Sequence, residues 1–114
     1  MIKDTHLTIM VTDINRSIDF YINQLGFELE KRWEDRYAVI AAPGIKFGLH
    51  PSSTQFQKQD TNMSVGFIVD KLDSYIEMLE EKGIDFKVNE ATAIRTANFT
   101  DPDGTPVYYG EMKI

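Results

Sequence analysis

His6-Leu7-Thr8-Ile9-Met10-Val11-Thr12-Asp13, followed by Ile14 to Leu25 and by Gly26-Phe27, has a second copy in the chain. That copy is Met63-Ser64-Val65-Gly66-Phe67-Ile68-Val69-Asp70, followed by Lys71 to Lys82 and by Gly83-Ile84. Asp13 and Asp70, Ser17 and Ser74, and Gly26 and Gly83 are each 57 positions apart, half of the 114-residue chain. Each copy reads as a strand, an Asp at the helix N-cap, a helix, and a Gly at the helix C-terminus. Two copies of so long a unit predict a pseudo-symmetric pair of modules and not a stacked array.

Outward from the first copy, Thr5 to Val11 alternates. Leu7, Ile9 and Val11 lie on one face, to be covered by a helix; His6, Thr8 and Met10 lie on the other. Ile14, Ile18, Tyr21, Ile22 and Leu25 form one apolar helical stripe. Strands are predicted over Phe27 to Trp33, Tyr37 to Ala42 and Lys46 to His50. The turns are Glu34-Asp35-Arg36 and Pro43-Gly44. In the last of these strands Gly48 and His50 share a face opposite Phe47 and Leu49.

The polar stretch Pro51 to Asn62, with Phe56 its one large apolar residue, reads as a linker. The second module repeats the plan. A strand over Met63 to Val69 precedes a helix over Lys71 to Lys82 with Leu72, Tyr75, Ile76 and Leu79 as its stripe. Strands follow over Phe86 to Glu90, Ile94 to Phe99 and Pro106 to Met112, with a tight turn at Asp101-Pro102-Asp103-Gly104. The order is βαβββ, linker, βαβββ. The fold class expected is α+β, with two modules forming a curved mixed sheet, helices outside and a cavity inside. One domain, 1–114, is expected, as module one 1–50, linker 51–62 and module two 63–114.

The chain has no cysteine, which excludes disulfides and thiolate metal sites. The start MIKDTHL has no apolar core of a signal peptide, and no apolar run reaches membrane-spanning length. A cytoplasmic protein without membrane contact is expected. The net charge of −6 argues against nucleic acid, whose phosphates need Lys and Arg. It serves solubility first, and secondarily favours a cationic ligand.

The residues from His6 to Asp13, Arg16-Ser17-Ile18-Asp19-Phe20-Tyr21, Leu25-Gly26-Phe27, Glu80-Glu81-Lys82-Gly83 and Phe99 to Gly104 resemble the vicinal oxygen chelate superfamily. That superfamily holds glyoxalase I, the extradiol dioxygenases and the bleomycin resistance proteins, and the resemblance spans essentially the whole chain. It implies four metal-ligand positions: one seven residues before each capping Asp, and one on the last strand of each module. These fall on His6, Met63, Gly48 and Tyr108. Only His6 is a ligand type for a hard or borderline divalent metal. No cofactor is therefore expected. A divalent metal enters only under an alternative with a shifted ligand set, in which His50 joins His6; Glu111 lies on the opposite face from Tyr108.

The ligand-binding residues expected are His6, Thr8, Met10, Gly48, His50, Met63, Val65, Phe67 and Tyr108, with aromatic faces from Trp33 and Tyr37. This is an apolar pocket with a few polar tips. Each residue also has a plainer reading: His6 as a hydrogen-bonded histidine, Met63, Val65 and Phe67 as core packing, Trp33 as a dimer contact. No nucleophile constellation or phosphate loop is visible, and the DPDG turn lacks the EF-hand spacing. The function expected is a non-catalytic binder of an amphipathic or aromatic small molecule, similar to the bleomycin resistance proteins and, like them, a homodimer. The alternatives are a metal-dependent lyase or dioxygenase and a regulatory module with a packed interior.

Overall fold

The computed structural model describes residues 1, 3, 5–52 and 63–113. Phe56 and the linker from residue 53 to residue 62 lie outside the described residues. The chain divides into two compact units, residues 1–56 and 57–114.

In module one, β1 (Thr8–Val11) leads into α1 (Ile14–Asp19), which continues as a π-helical turn (Phe20–Gln24). The strands β2 (Glu28–Trp33), β3 (Tyr37–Ala42) and β4 (Ile45–Pro51) follow. The sheet order is β1-β4-β3-β2, with β1 parallel to β4 across the helix and the other pairs antiparallel. Asp13 takes the extended N-cap conformation, and its carboxylate accepts from the backbone N–H groups of Asn15 and Arg16 at 3.0 and 3.2 Å. Ile9, Val11, Ala38, Ile40, Phe47 and Leu49 are buried on the face that α1 covers. Tyr21 packs edge-on to Phe47 at 5.2 Å.

Module two has β5 (Val65–Ile68), α2 (Leu72–Glu81), β6 (Lys87–Glu90), β7 (Ile94–Thr100) and β8 (Pro106–Met112). Its order, β5-β8-β7-β6, repeats that of module one, again with a parallel pair across the helix. Its core is aromatic. Tyr109 meets Tyr75 of α2 at 4.8 Å, Phe99 at 5.5 Å and Phe67 at 6.0 Å. Among the described residues no helix is long and apolar enough to cross a membrane.

The gapless repeat slips by one residue inside the fold. Lys71, and not Asp70, occupies the N-cap of α2, and its side chain makes no capping bond. Glu111 of β8 does that work: its Oε1 accepts from the Leu72 N–H at 2.7 Å. From Asp13 to Lys71 is 58 positions, whereas Gly26 and Gly83, both at positive φ, stay 57 apart. The first helix therefore holds one more residue, and its π turn absorbs it, with the Leu25 N–H reaching the Phe20 carbonyl at 3.0 Å.

The slip corrects the expected facing of β5. Val65 lies beside Val107, and Phe67 beside Tyr109, on the side that α2 covers. Gly66 and Ile68 take the other face with Tyr108 and Gly110. Side chains alternate with period two, so a one-residue offset exchanges the two faces of a strand. Val65 and Phe67 are half-buried on the helix side of the sheet, away from the face on which they were expected. Met63 precedes β5 and is 41% exposed.

Candidate functional site

The face of sheet one opposite α1 carries most of the residues expected there. Register pairs Thr8 with Gly48, Met10 with His50, and Trp33 with Tyr37. The same face receives Val39 opposite Gly48. His6 precedes β1 and is exposed. On the corresponding face of module two stand Tyr108 and Gly66.

Tyr37 organises the module-one face. Its hydroxyl lies 3.1 Å from Thr8 Oγ1, and its ring meets Trp33 at 5.7 Å and His50 at 6.3 Å. It also lies across Gly48: a Cβ at position 48 would stand 1.9 Å from the Tyr37 Oη and 2.4 Å from its Cζ. Module two repeats the device, since a Cβ on Gly66 would stand 2.1 Å from the Tyr108 Cζ. In each sheet a tyrosine covers a glycine on a neighbouring strand. His50 donates from Nδ1 to the Pro51 carbonyl at 2.7 Å, which leaves Nε2 as the acceptor of the neutral ring.

Beside Tyr37 lies a cleft of about 350 Å³ lined by His6, Glu30, Lys31, Trp33, Tyr37 and Lys46, among others. Sequence reasoning missed Glu30, Lys31 and Lys46. Register shifts between Leu29 and Lys31, a β-bulge. A bulge sets two residues of one strand against one of its partner, and here consecutive residues, Glu30 and Lys31, both line the cleft. The mixed pattern of residues 27 to 33 was the one trace of it in the sequence. Glu30 is held by Lys46 Nζ at 2.7 Å.

The expected metal positions do not fit a divalent ion. Gly48 has no side chain, and the Tyr37 phenol occupies the space one would use. The one-residue slip moves the opening position of module two from Met63 to Ser64, seven residues before Lys71, and a neutral serine hydroxyl is no better a substitute for imidazole or carboxylate. Glu111 is on the helix side, engaged with α2. Among the described residues no three His, Cys, Asp or Glu side chains converge.

A separate charge cluster lies in module two. Arg95 pairs with Asp73 and Glu90, and Lys113 with Glu90. The hydrogen bond from Lys113 holds the exposed Glu90 carboxyl below its ordinary range, and that to Asp73 holds Arg95 above its own.

No curated protein sequence matches the chain. Among solved structures it is similar to the genomically encoded fosfomycin resistance protein FosX from Listeria monocytogenes, with TM-score 0.79 and 18% identity over 100% of this chain and 97% of that one. A glyoxalase/bleomycin resistance protein/dioxygenase from Alicyclobacillus acidocaldarius gives 0.78 and 17% over 98% and 92%. TnmS3, an antibiotic binding protein from Streptomyces sp. CB03234, gives 0.73 and 21% over 99% of each chain. At these identities the likeness speaks for the fold. A family model carries it further, matching residues 5–108, so that the duplicated βαβββ plan and the sequence agree: the chain belongs to the Glyoxalase/Bleomycin resistance protein/Dioxygenase superfamily.

Proposed function

We propose that this protein is a non-catalytic small-molecule binder, which holds an aromatic or amphipathic ligand in the module-one cleft against Trp33 and Tyr37. One observation carries the reading: the Tyr37 phenol fills the place of a residue-48 side chain, so an aromatic wall stands where the superfamily resemblance implies a metal ligand. The cleft volume of about 350 Å³ sits at the small end of the roughly 300–1,000 Å³ usual for such sites. Ring stacking on exposed aromatics contributes about 0.5–1.5 kcal/mol beyond area burial. Two of the similar structures are named for antibiotics, one for resistance to fosfomycin and one for antibiotic binding, which accords with a drug-like ligand. The proposal includes no resident cofactor, a cytoplasmic location and a homodimer. A monomer by light scattering at micromolar concentration would remove the last of these.

Trp33 is the sole tryptophan, so the protein has one indole N–H resonance, and it lies at the cleft. A panel of planar aromatic compounds titrated into the labelled protein is expected to contain members that move this resonance. Trp33→Ala should weaken those members by calorimetry. Ligands that bind while the resonance stays still would place the site elsewhere. Near one equivalent of a single divalent metal retained after desalting, and lost in His6→Ala, would instead favour the metal-dependent enzyme; the binder predicts less than about a tenth of an equivalent.

A further inference from the structure

The charges lining the cleft do not match those of the whole chain. The chain is acidic, at −6, yet the cleft holds two lysines against one glutamate. Lys46 and Glu30 neutralise each other at 2.7 Å. Lys31 lines the same cleft and has no ion-pair partner among the described residues. His6 is the remaining titratable lining group apart from the Tyr37 phenol, and it carries no negative charge in either protonation state. The bulge that brings Glu30 and Lys31 to one face thus sets Lys31, which has no ion-pair partner among the described residues, beside an aromatic wall.

Spacing then sets the shape of a matching ligand. Lys31 and Trp33 are two residues apart on one strand and both line the cleft, so their Cα atoms are separated by about 6.6 Å. The flexible Lys31 side chain can therefore bring its ammonium to a substituent at the edge of a flat ring resting on Trp33 and Tyr37. An ammonium substituent there would meet a like charge, and Glu30, already engaged by Lys46, is a poor counterion for it.

Resting on the cleft reading above, we infer that the ligand is a planar aromatic anion, a ring carrying a carboxylate or an equivalent negative group, and that Lys31 is the residue that recognises its charge. This reverses the cationic preference that net charge alone suggests. Net charge governs solubility and long-range attraction, whereas a bound group responds to charges within about a Debye length, near 8 Å in physiological salt.

The test uses three probes with one ring system and different charge, naphthoate, naphthylmethanol and naphthylmethylamine, titrated into the full-length protein by calorimetry and by the Trp33 indole resonance. Naphthoate is expected to bind most tightly, by about threefold to tenfold over the alcohol, as suits one partly exposed ion pair. Added salt should narrow that margin. Lys31→Gln should erase it, bringing naphthoate and the alcohol to equal affinity. Equal binding of all three, tightest binding of the amine, or a margin that survives Lys31→Gln would overturn the charge assignment and leave the cleft in place. Failure of every probe to move the Trp33 resonance would overturn the cleft reading, and this inference with it.

Discussion

Gly48 and Tyr37 belong to one another. With the phenol 1.9 Å from any added Cβ, Gly48→Ala forces the ring to move or the strand to shift. Such overpacking costs about 1–3 kcal/mol. In Tyr37→Ala the space is empty, so the same glycine change should cost much less. Urea unfolding of the two single variants and the double is expected to give coupling of about 1 kcal/mol or more; additive effects would mean that the ring moves aside freely. Both were expected on this face, but their contact does not show in the sequence, because it joins residues on separate strands. Tyr109 offers a second residue-scale prediction. Its hydroxyl is buried without a hydrogen-bond partner among the described residues, the residue being 2% exposed. Burial pushes the phenol up to about 12, with the neighbouring Tyr75 adding to the effect. An unsatisfied buried group costs about 1–3 kcal/mol, so Tyr109→Phe should raise the urea midpoint. The sign of the pH dependence follows. The folded protein favours the neutral phenol, so this contribution to stability is complete below about pH 10 and lost as pH rises toward about 12. Unfolding measured across that window should show a smaller alkaline loss in Tyr109→Phe than in the parent.

Among the elements, the two helices look equivalent in sequence and start differently. Asp13 caps α1 locally. In α2 the capping carboxylate comes from Glu111, 39 residues away in sequence. Glu111→Ala should therefore destabilise the protein by about 1 kcal/mol, the usual worth of a lost cap, while Asp70→Ala stays within about 0.5 kcal/mol. The reverse ranking in urea midpoints would restore Asp70 as the cap. The strands and helices themselves were legible. Hydrophobic period, Asp before each helix and Gly after it located every element to within a few residues, because these signals act over a few positions of chain. The facing of β5 was not legible. It depends on where α2 begins, which depends on β8, and on one extra residue stored in the π turn of the other helix. The same holds for the β2 bulge, which shows only in register against β3.

At the scale of the molecule, both modules place their longest-paired strands in the middle. β4 and β3 separate β1 from β2, and β8 and β7 separate β5 from β6. Hydrogen exchange should accordingly find two protected cores, with the slowest amides in β3, β4, β7 and β8 and fast exchange in β6, whose four residues are all exposed. One protected core alone would mean that one module depends on the other for its stability. The duplicated βαβββ plan, the helix stripes, the family and the aromatic character of the module-one face could be read from the residues, since each is written in local pattern or in motif. Which face Val65 and Phe67 occupy, that Tyr37 stands over Gly48, and that among the described residues Glu30 has an ion-pair partner while Lys31 has none, came from the folded arrangement. These depend on register and on contacts between separate elements. A shift of a single residue, invisible to composition or period, reverses which side chains meet.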